Sequence, residues 1–453
     1  MVSAFSRRAK WLRLFRLKPT QVIILSFVFM ILLGTLLLML PISTYDGNGV
    51  PAIDALFVST SASCVVGLTV VDLKNELTFF GKLVMLLLIQ VGGLGIMTLA
   101  TLVVHSMGYR FQLSENLILQ ESLNQKTQAG IVQLIKRMIK YTFIIEGFFA
   151  VLLAVHFYDE FGYAAIGYGI FHSVSAFCNG GFDLFGNYDS LVKRADDYFL
   201  LAALGSLVFL GGIGFTVIYD VIHKRSFRRL TLHSKLALVS SFAMIAFGTV
   251  LIYFVCSDNP NTIGNLSTKD QLIQSCFMSV SCRTAGFNTF DLAVSAQITQ
   301  LIMIMLMFAG ASPLSTGGGV KTTTVFIIFL SMWTVVKGKS ELVIFGRRIS
   351  KSLQQQAYAI FTLGTIWVVT AAVILSIIDG EVHDLEKVLF ETVSGFGTVG
   401  MGIGITEEWN FWGKLVLIIT MLVGRVGIMT FMLAFISQKD TLIKYPDENV
   451  MIG

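Results

Sequence analysis

The 453-residue chain has few charged residues and few prolines. Only 13% of its residues are Asp, Glu, Lys or Arg, whereas soluble domains contain about a quarter. Six prolines are present, and hydrophobic residues make up 55% of the chain. The mean hydropathy is +0.76, and apolar runs recur along the whole length without room for a large soluble domain between them. This composition is that of an integral membrane protein.

Patterns typical of enzymes and metal sites are also missing. The five cysteines have no metal-type spacing, and their odd number argues against a disulfide framework. The six histidines form no pair at helical spacing, and no cluster of His, Cys or carboxylates falls at membrane depth. The glycines of Gly92–Gly95 lack the βαβ context of a nucleotide site. We therefore expect no enzymatic activity, no nucleotide bound by this chain itself and no nucleic-acid partner.

Eight hydrophobic stretches are long enough to cross a bilayer as helices. They are roughly 20–41, 79–107, 139–158, 198–222, 235–257, 297–330, 355–378 and 411–436. A shorter apolar segment lies within each successive pair and is predicted to be a re-entrant half-helix; these segments are roughly 51–63, 168–178, 269–282 and 384–396. With the N-terminus inside, most Lys and Arg fall on the inner side. This predicts a multi-pass protein of the cell membrane with both termini cytoplasmic and a cation-attracting acidic outer face.

A short glycine-containing stretch follows each half-helix. Its glycines, Gly67, Gly181, Gly286 and Gly400, are separated by 114, 105 and 114 residues, which indicates duplication of one unit. Non-helical backbone at membrane depth is tolerated only inside protein or beside water. Any one of these glycines could simply pack helices, but four copies in register favour a water-filled axis. We predict an all-α integral membrane protein of four tandem pseudo-symmetric helix–pore-helix–helix repeats around a central pore.

The four glycine stretches are predicted to form an ion selectivity filter. A dehydrated monovalent cation needs oxygen ligands, and backbone carbonyls supply them without full charges. Aiming successive carbonyls at one axis needs the backbone freedom of Gly. We call these stretches the filter strands; their residues are Cys64, Val65, Val66, Gly67; Cys178, Asn179, Gly180, Gly181; Arg283, Thr284, Ala285, Gly286; and Gly397, Thr398, Val399, Gly400.

A second candidate site interrupts the second span of the third repeat. Pro and Gly break helices, so the helix must open at residues 310–319, although a packing kink without function is an alternative. The residues assigned to this site are Gly310, Ala311, Ser312, Pro313, Ser315, Thr316, Gly317, Gly318 and Gly319, with Lys321 after them and Arg425 in the last span. A charge at membrane depth is costly, so such cations usually face water or a counter-charge, and Lys321 could instead reach the inner interface.

These motifs resemble the Trk/Ktr/HKT superfamily of potassium transporters, and most of all its Ktr-type membrane subunit. The resemblance covers nearly the whole chain and is carried by Cys64–Asp72, Gln90–Gly95, Gly211–Thr216, Arg283–Asn288 and Gly424–Gly427. It implies a potassium-channel-like pore in which each repeat supplies one filter strand. Relatives with Ser at the first filter glycine tend to favour sodium, so Gly67 implies potassium. Asn179 and Arg283 differ from their counterparts in the other strands.

The resemblance also implies how the pathway is controlled. The loop at 310–319 corresponds to the family's intramembrane gate, Arg425 to a positive barrier below the filter, and Lys321 to a residue that could stabilise the loop. Pro313 and Leu314 stand where the family usually has small residues. The implied partners are a second copy of this chain and a cytosolic RCK-type ring of regulatory subunits that binds ATP or ADP. The transported ion would be K⁺, with Na⁺ as an activator in some relatives.

Two alternatives remain at this point. A sodium-selective pore, or a secondary transporter that couples Na⁺ and K⁺, could share the same motifs. Coupled transporters commonly use inverted repeats, whereas these repeats all start on the same side.

The predicted organisation is as follows: 1–18, cytoplasmic segment; 19–108, repeat one; 109–138, cytoplasmic linker; 139–223, repeat two; 224–234, cytoplasmic loop; 235–336, repeat three; 337–354, cytoplasmic loop; 355–437, repeat four; 438–453, cytoplasmic tail.

Overall fold

A computed structural model describes residues 18–95, 131–380 and 382–435. The predicted cytoplasmic tail, the predicted N-terminal segment before Lys18 and most of the predicted linker lie outside these ranges. Every repeat contains a first helix, a short helix and a second helix. The helices are α1 (Pro19–Leu38), α2 (Ala52–Cys64) and α3 (Phe79–Leu94); α4 (Ile131–Phe161), α5 (Ala165–Phe177), α6 (Tyr198–Gly212) and α7 (Phe215–Lys224); α8 (Leu232–Cys256), α9 (Thr268–Ser281), α10 (Gln297–Phe308) and α11 (Thr322–Val336); and α12 (Lys351–Asp379), α13 (Leu385–Gly397), α14 (Phe411–Val426) and α15 (Ile428–Phe435).

Small elements complete the described part of the chain. Single 3₁₀ turns occupy Pro41–Ser43, Gly162–Ala164, Val192–Arg194 and Phe227–Arg229. Strands β1 (Val343–Ile344) and β2 (Arg347–Arg348) pair antiparallel as a hairpin within the predicted loop 337–354. Within the described ranges the fold is therefore helical apart from this two-residue ladder, in agreement with the predicted class.

Four helical stretches among the described residues are long and apolar enough to cross a membrane, namely Pro19–Leu38, Ile135–Phe177, Leu232–Cys256 and Lys351–Asp379. Two further pairs qualify if each is counted as one bent span: α6 with α7, bent by 98°, and α14 with α15, bent by 101°. The spans predicted at 198–222 and 411–436 are therefore each divided into two helices. Gly214 (φ 96°, ψ 138°) and Gly427 (φ 91°, ψ 132°) adopt backbone conformations open mainly to Gly, and each lies at the break between the two helices of its pair.

The short helices close the repeats into a ring. Each packs against the second helix of the preceding repeat: α5 on α3, α9 on α6, α13 on α10 and, completing the circle, α2 on α14. Polar N-caps begin several helices; Thr78, Thr231, Ser267, Ser350 and Asn410 each accept a hydrogen bond from a backbone N–H in the first turn. The C-terminal ends of α2, α5, α9 and α13 lead directly into the filter strands. The ring therefore brings four equivalent chain segments to one centre.

Candidate ion pathway

The four filter glycines form a ring in which each contacts the next repeat. All have positive φ angles, 109°, 70°, 80° and 88° in chain order. A Cβ atom added to any one of them would lie 2.1 to 2.8 Å from the carbonyl oxygen just before the glycine of the following repeat. The pairs are Gly67 with Gly180, Gly181 with Ala285, Gly286 with Val399 and Gly400 with Val66. The strands thus approach one another too closely for any side chain at these positions.

A second set of left-handed residues lies two positions before each glycine. These residues are not glycines, yet their φ angles are 56°, 60°, 72° and 51°; they are Val65, Asn179, Thr284 and Thr398. Left-handed backbone is rare for residues other than Gly, and for β-branched residues it is a true outlier. Such strained conformations persist only where the surrounding structure enforces them. Residue types do not predict this conformation, because Val and Thr normally favour extended backbone.

One serine of each short helix supports the filter strand that follows it. The carbonyl oxygens of Ser61, Ser175, Ser281 and Ser394 accept hydrogen bonds from strand N–H groups at 2.6 to 2.9 Å. The hydroxyls of Ser61 and Ser394 accept from the N–H groups of Gly67 and Gly400, both at 3.1 Å. Ser175 and Ser281 instead donate to the carbonyls of Phe182 and Phe287. These serines are not among the predicted site residues, although a hydroxyl five or six positions before each glycine is a signal that the sequence contains.

A cavity of about 470 Å³ opens on the predicted outer side of the glycine ring. All four filter glycines line it. Among the described residues, the lining also contains five acids and no Lys or Arg; the acids are Asp72, Asp183, Asp189, Asp291 and Glu407. Burial raises the pKa of Asp183 to about 6, against the lowering effect of hydrogen bonds from the Phe185 and Gly186 backbone. We call this cavity the outer vestibule. Its negative charge concentrates cations at the entrance to the ring.

The Gly310–Gly319 loop lies against the opposite side of the filter strands. A Cβ atom on Gly317 would lie 2.2 Å from the Thr284 hydroxyl, and one on Gly318 would lie 2.6 Å from the Thr398 methyl group. The Gly318 N–H donates to the Thr398 hydroxyl at 2.8 Å. The loop therefore contacts two filter strands at their left-handed residues.

Further hydrogen bonds tie the loop to the second helices of two other repeats. Ser312 and Thr316 donate backbone N–H groups to the carbonyls of Gly212 and Gly211 at the end of α6. The Gly319 N–H donates to the carbonyl of Gly424 in α14 at 3.1 Å. The loop is thus held from repeats two and four as well as from its own helices.

Two cations hold the loop through its carbonyl groups. The Arg425 guanidinium donates to the carbonyls of Thr316 in the loop and of Gly92 and Gly93 in α3. Lys321 donates to the carbonyl of Gly317 at 2.7 Å. Within the described residues neither cation forms an ion pair with a carboxylate. Carbonyl oxygens therefore compensate the burial of both charges, and Arg425 links repeats one and four to the loop.

Some predicted filter residues contribute backbone but direct their side chains elsewhere. Arg283 donates to the Ser241 hydroxyl of α8 at 3.0 Å and is only 6% exposed, so its charge is directed toward α8. Cys64 and Cys178 are buried free thiols. The Cys178 thiol lies 3.7 Å from the carboxylate of Glu146 in α4. Asn179, the other residue that differs from its counterparts, contacts the Thr284 hydroxyl of the next filter strand at 2.8 Å.

Comparison with known proteins identifies the family. The TrkH family of cation transport proteins matches residues 2–445. The chain is 37% identical to Ktr system potassium uptake protein B of Vibrio alginolyticus, over 96% of this chain and 94% of that protein. It is also 37% identical to the protein of the same name from Bacillus subtilis, with 98% of both chains covered. Potassium/sodium uptake protein NtpJ of Enterococcus hirae is 35% identical over 97% of this chain and 98% of its own length.

A solved structure has the same fold. The crystal structure of the potassium transporter TrkH from Vibrio parahaemolyticus superposes with a TM-score of 0.70 at 20% identity, covering 91% of this chain and 83% of that one. This agreement confirms the predicted helical membrane fold. The expectation that the chain is not an enzyme agrees with a family of transport proteins. The chain belongs to the TrkH family of cation transport proteins and is similar over nearly its whole length to Ktr-type members of that family.

Proposed function

We propose that this chain is the potassium-translocating membrane subunit of a Ktr-type uptake system. The observation that carries the proposal is the ring of filter glycines, each in contact with the carbonyl that precedes the next one. Four strands of this kind can surround a dehydrated cation with backbone oxygens. The names of the relatives at 37% identity, which are potassium uptake proteins, support potassium as the ion. The acidic outer vestibule would supply cations to the ring.

The Gly310–Gly319 loop is proposed as the gate of this pathway. It lies directly beneath two filter strands, and Arg425 and Lys321 hold it there through its carbonyls. A cation leaving the ring on this side would meet the loop and the Arg425 charge. Opening then requires the loop to leave the filter strands, which breaks the hydrogen bonds from Gly318 and from Arg425.

We extend the proposal to the assembly and its regulation. The chain would act in the cell membrane as a homodimer, with cytoplasmic termini, and a cytosolic RCK-type ring that binds ATP or ADP would control the loop. The word "system" in the names of the relatives supports partner subunits. Activation by Na⁺, or transport of Na⁺ together with K⁺, is the second candidate function. It is favoured by the relative named as a potassium/sodium uptake protein.

Replacing Gly67 by Ser tests the filter and the ion together. Gly67 has φ 109°, and a Cβ there would lie 2.8 Å from the Gly180 carbonyl oxygen, so Ser must displace a predicted ligand of the ion. We expect the reversal potential in opposed K⁺ and Na⁺ gradients to move toward the Na⁺ equilibrium potential. Gly47→Ser is the matched control, because Gly47 also has positive φ, 72°, but has no atom within 4 Å of its Cβ position. An unchanged K⁺ preference in Gly67→Ser would show that the filter assignment is wrong.

External pH should change uptake through Asp183. Its pKa is raised to about 6, so acidification through that value protonates the carboxylate and removes one negative charge from the vestibule. A charge at about 4 Å in water is worth about 1 kcal/mol, and uptake at limiting K⁺ should fall up to about fivefold. Asp183→Asn should show the low rate on both sides of pH 6, whereas Asp291→Asn should keep the pH dependence. Initial uptake rates measured at external pH values on both sides of pH 6 test this expectation. A wild-type pH dependence retained in Asp183→Asn would refute the role of Asp183.

A further inference from the structure

One position in each short helix divides the four repeats into two pairs. This position lies nine residues before the filter glycine, and its side chain is buried in every repeat; it is occupied by Val58, His172, Phe277 and Glu391. The side chain is apolar in repeats one and three, but polar and titratable in repeats two and four. The order of the glycine ring places repeats two and four opposite each other. The two polar side chains therefore belong to opposite quarters of the filter.

Both polar side chains accept the same backbone hydrogen bond. In each case the donor is the N–H group three residues after the filter glycine. The Leu184 N–H donates to His172 Nε2 at 3.3 Å. The Ile403 N–H donates to Glu391 Oε1 at 3.4 Å, and the Thr406 hydroxyl donates to the same oxygen at 2.8 Å. We call the contacts of His172 and Glu391 the outer braces, because they hold the chain just beyond the filter glycine.

The surroundings of each side chain fit it to accept these hydrogen bonds. His172 Nδ1 lies 2.8 Å from the Tyr168 carbonyl oxygen and therefore carries the ring hydrogen, which leaves Nε2 as an acceptor. The His172 ring is stacked on Phe185 with the centroids 4.5 Å apart, which fixes its orientation. Among the described residues, Oε2 of Glu391 has no hydrogen-bond partner. The Glu391 carboxyl is therefore held through Oε1 alone.

The equivalent backbone is held less firmly in repeats one and three. In repeat three the Thr289 N–H donates to the Met278 sulfur at 3.3 Å, and a thioether is a weak acceptor. In repeat one the equivalent residue is Val70, and the Val58 side chain has no acceptor atom. Within the described part of the chain, nitrogen and oxygen acceptors at this position therefore occur on only one diagonal of the filter.

We propose that His172 and Glu391 are positioning residues that hold two opposite quarters of the filter apart and thereby set its preference for K⁺ over Na⁺. The carbonyls of Ser175 and Ser394 already hold these strands before the glycine, and the outer braces hold them after it. Carbonyl oxygens that are kept apart fit K⁺, whereas oxygens that can move inward also coordinate the smaller Na⁺. The inference rests on the proposed function, because it assumes that the filter strands conduct K⁺.

Removing either acceptor should lower the ratio of K⁺ to Na⁺ permeability about fivefold, the change that corresponds to losing one hydrogen bond. Glu391→Leu and His172→Phe remove the acceptor at similar side-chain size. Glu391→Gln and His172→Gln retain an oxygen that can accept the backbone N–H, and both should keep the wild-type ratio. Reversal potentials with K⁺ on one side of the membrane and Na⁺ on the other give the measurement. The double variant Glu391→Leu with His172→Phe should have a lower ratio than either single variant.

Hydrogen exchange in the full-length protein, purified in lipid nanodiscs, tests the outer braces without ion flux. The Ile403 N–H should exchange about fivefold faster in Glu391→Leu, because its acceptor is lost. Its exchange in Glu391→Gln should match the wild type. Phe277→Leu is the matched control, because it changes the buried residue at the same position of repeat three without removing an acceptor. It should leave both the Ile403 exchange rate and the permeability ratio unchanged.

The outcomes separate this inference from the proposed function. A wild-type permeability ratio in Glu391→Leu and His172→Phe, or an equal fall in Phe277→Leu, would overturn the positioning role. An equal fall in Glu391→Gln would also overturn it, because the charge rather than the accepted hydrogen bond would then matter. If Glu391→Leu does not fold, His172→Phe and His172→Gln apply the same test in repeat two. Absence of K⁺ flux in the wild type would instead refute the proposed function, whatever the exchange rates show.

Discussion

Gly400→Ala is expected to reduce potassium uptake roughly a hundredfold, while Gly404→Ala leaves it nearly intact. Both residues have a φ of 88°, so the backbone strain of replacing Gly is the same, about 1–2 kcal/mol. A Cβ on Gly400 would lie 2.1 Å from the Val66 carbonyl oxygen and 2.7 Å from the Gly67 Cα, whereas one on Gly404 meets no atom within 4 Å. Overpacking adds about 1–3 kcal/mol. Because the strain is common to both variants, the difference comes from overpacking, whose upper end of about 3 kcal/mol corresponds to about a hundredfold.

Uptake assays in cells lacking their own potassium uptake systems would measure this difference, with membrane abundance of both variants determined in parallel. The comparison separates steric overlap from backbone strain. Both glycines have the same φ, but only a Cβ atom on Gly400 would overlap the neighbouring filter strand. Full activity of both Gly400→Ala and Gly404→Ala would contradict the ring as the conducting element. Equal loss of activity would mean that strain alone accounts for the effect.

Deleting Ala311–Gly318 should raise potassium flux at least about tenfold without any cytosolic partner. The deletion removes the segment beneath the filter strands and with it the Thr316 carbonyl that binds Arg425. Its ends already meet: a Cβ on Gly310 would lie 3.3 Å from the Gly319 Cα, and the Gly310 N–H donates to the Val320 carbonyl at 2.8 Å. Rejoining Gly310 to Gly319 therefore need not move α10 or α11. The tenfold figure assumes that the closed loop is favoured by at least one charge-assisted hydrogen bond, about 1.5–3 kcal/mol.

Flux through purified protein in potassium-loaded vesicles gives the measurement, because no regulatory subunit is then present. Arg425→Gln provides a milder comparison, since it keeps a hydrogen-bond donor near Thr316 but removes the charge. It should raise flux less than the deletion does. A deletion variant that is folded yet conducts no faster than the wild type would show that the loop is a packing element rather than a gate.

The repeat architecture was predictable because its signals are local and recur. Spacing of the four glycines predicted four equivalent segments, and run lengths predicted the short helices. The bends at Gly214 and Gly427 were not predicted, because apolar side chains continue through both breaks and hide them from a hydrophobicity reading. The left-handed Val65 and Thr398 oppose their own residue preferences. Only the packed ring makes those conformations necessary, so a reading of local sequence could not find them.

The assignments to filter and gate stay predictions, but the structure narrows what each residue can do. Arg283 was grouped with the filter strand by its position, yet its guanidinium contacts Ser241 and lies outside the ring. Lys321 contacts the Gly317 carbonyl, so its position fits support of the loop better than extension to the inner interface. The contacts of residues 186–191 with the other repeats could not be foreseen, because they join residues about 100 positions or more apart in the chain, such as Asn187 with Asp72 and Asn288 with Ser190.

The head-to-tail arrangement of the glycines gives each repeat an unequal relation to its two neighbours. A side chain at Gly67 would displace the Gly180 carbonyl of repeat two, and a side chain at Gly400 would displace the Val66 carbonyl of repeat one. The shortest contact of an added side chain is therefore with the following repeat at every position. Because all four quarters are encoded in a single chain, evolution can alter one oxygen position at a time, which a tetramer of identical subunits cannot do. For the same reason, a larger residue in one filter strand is tolerated only if the filter strand of the following repeat can move.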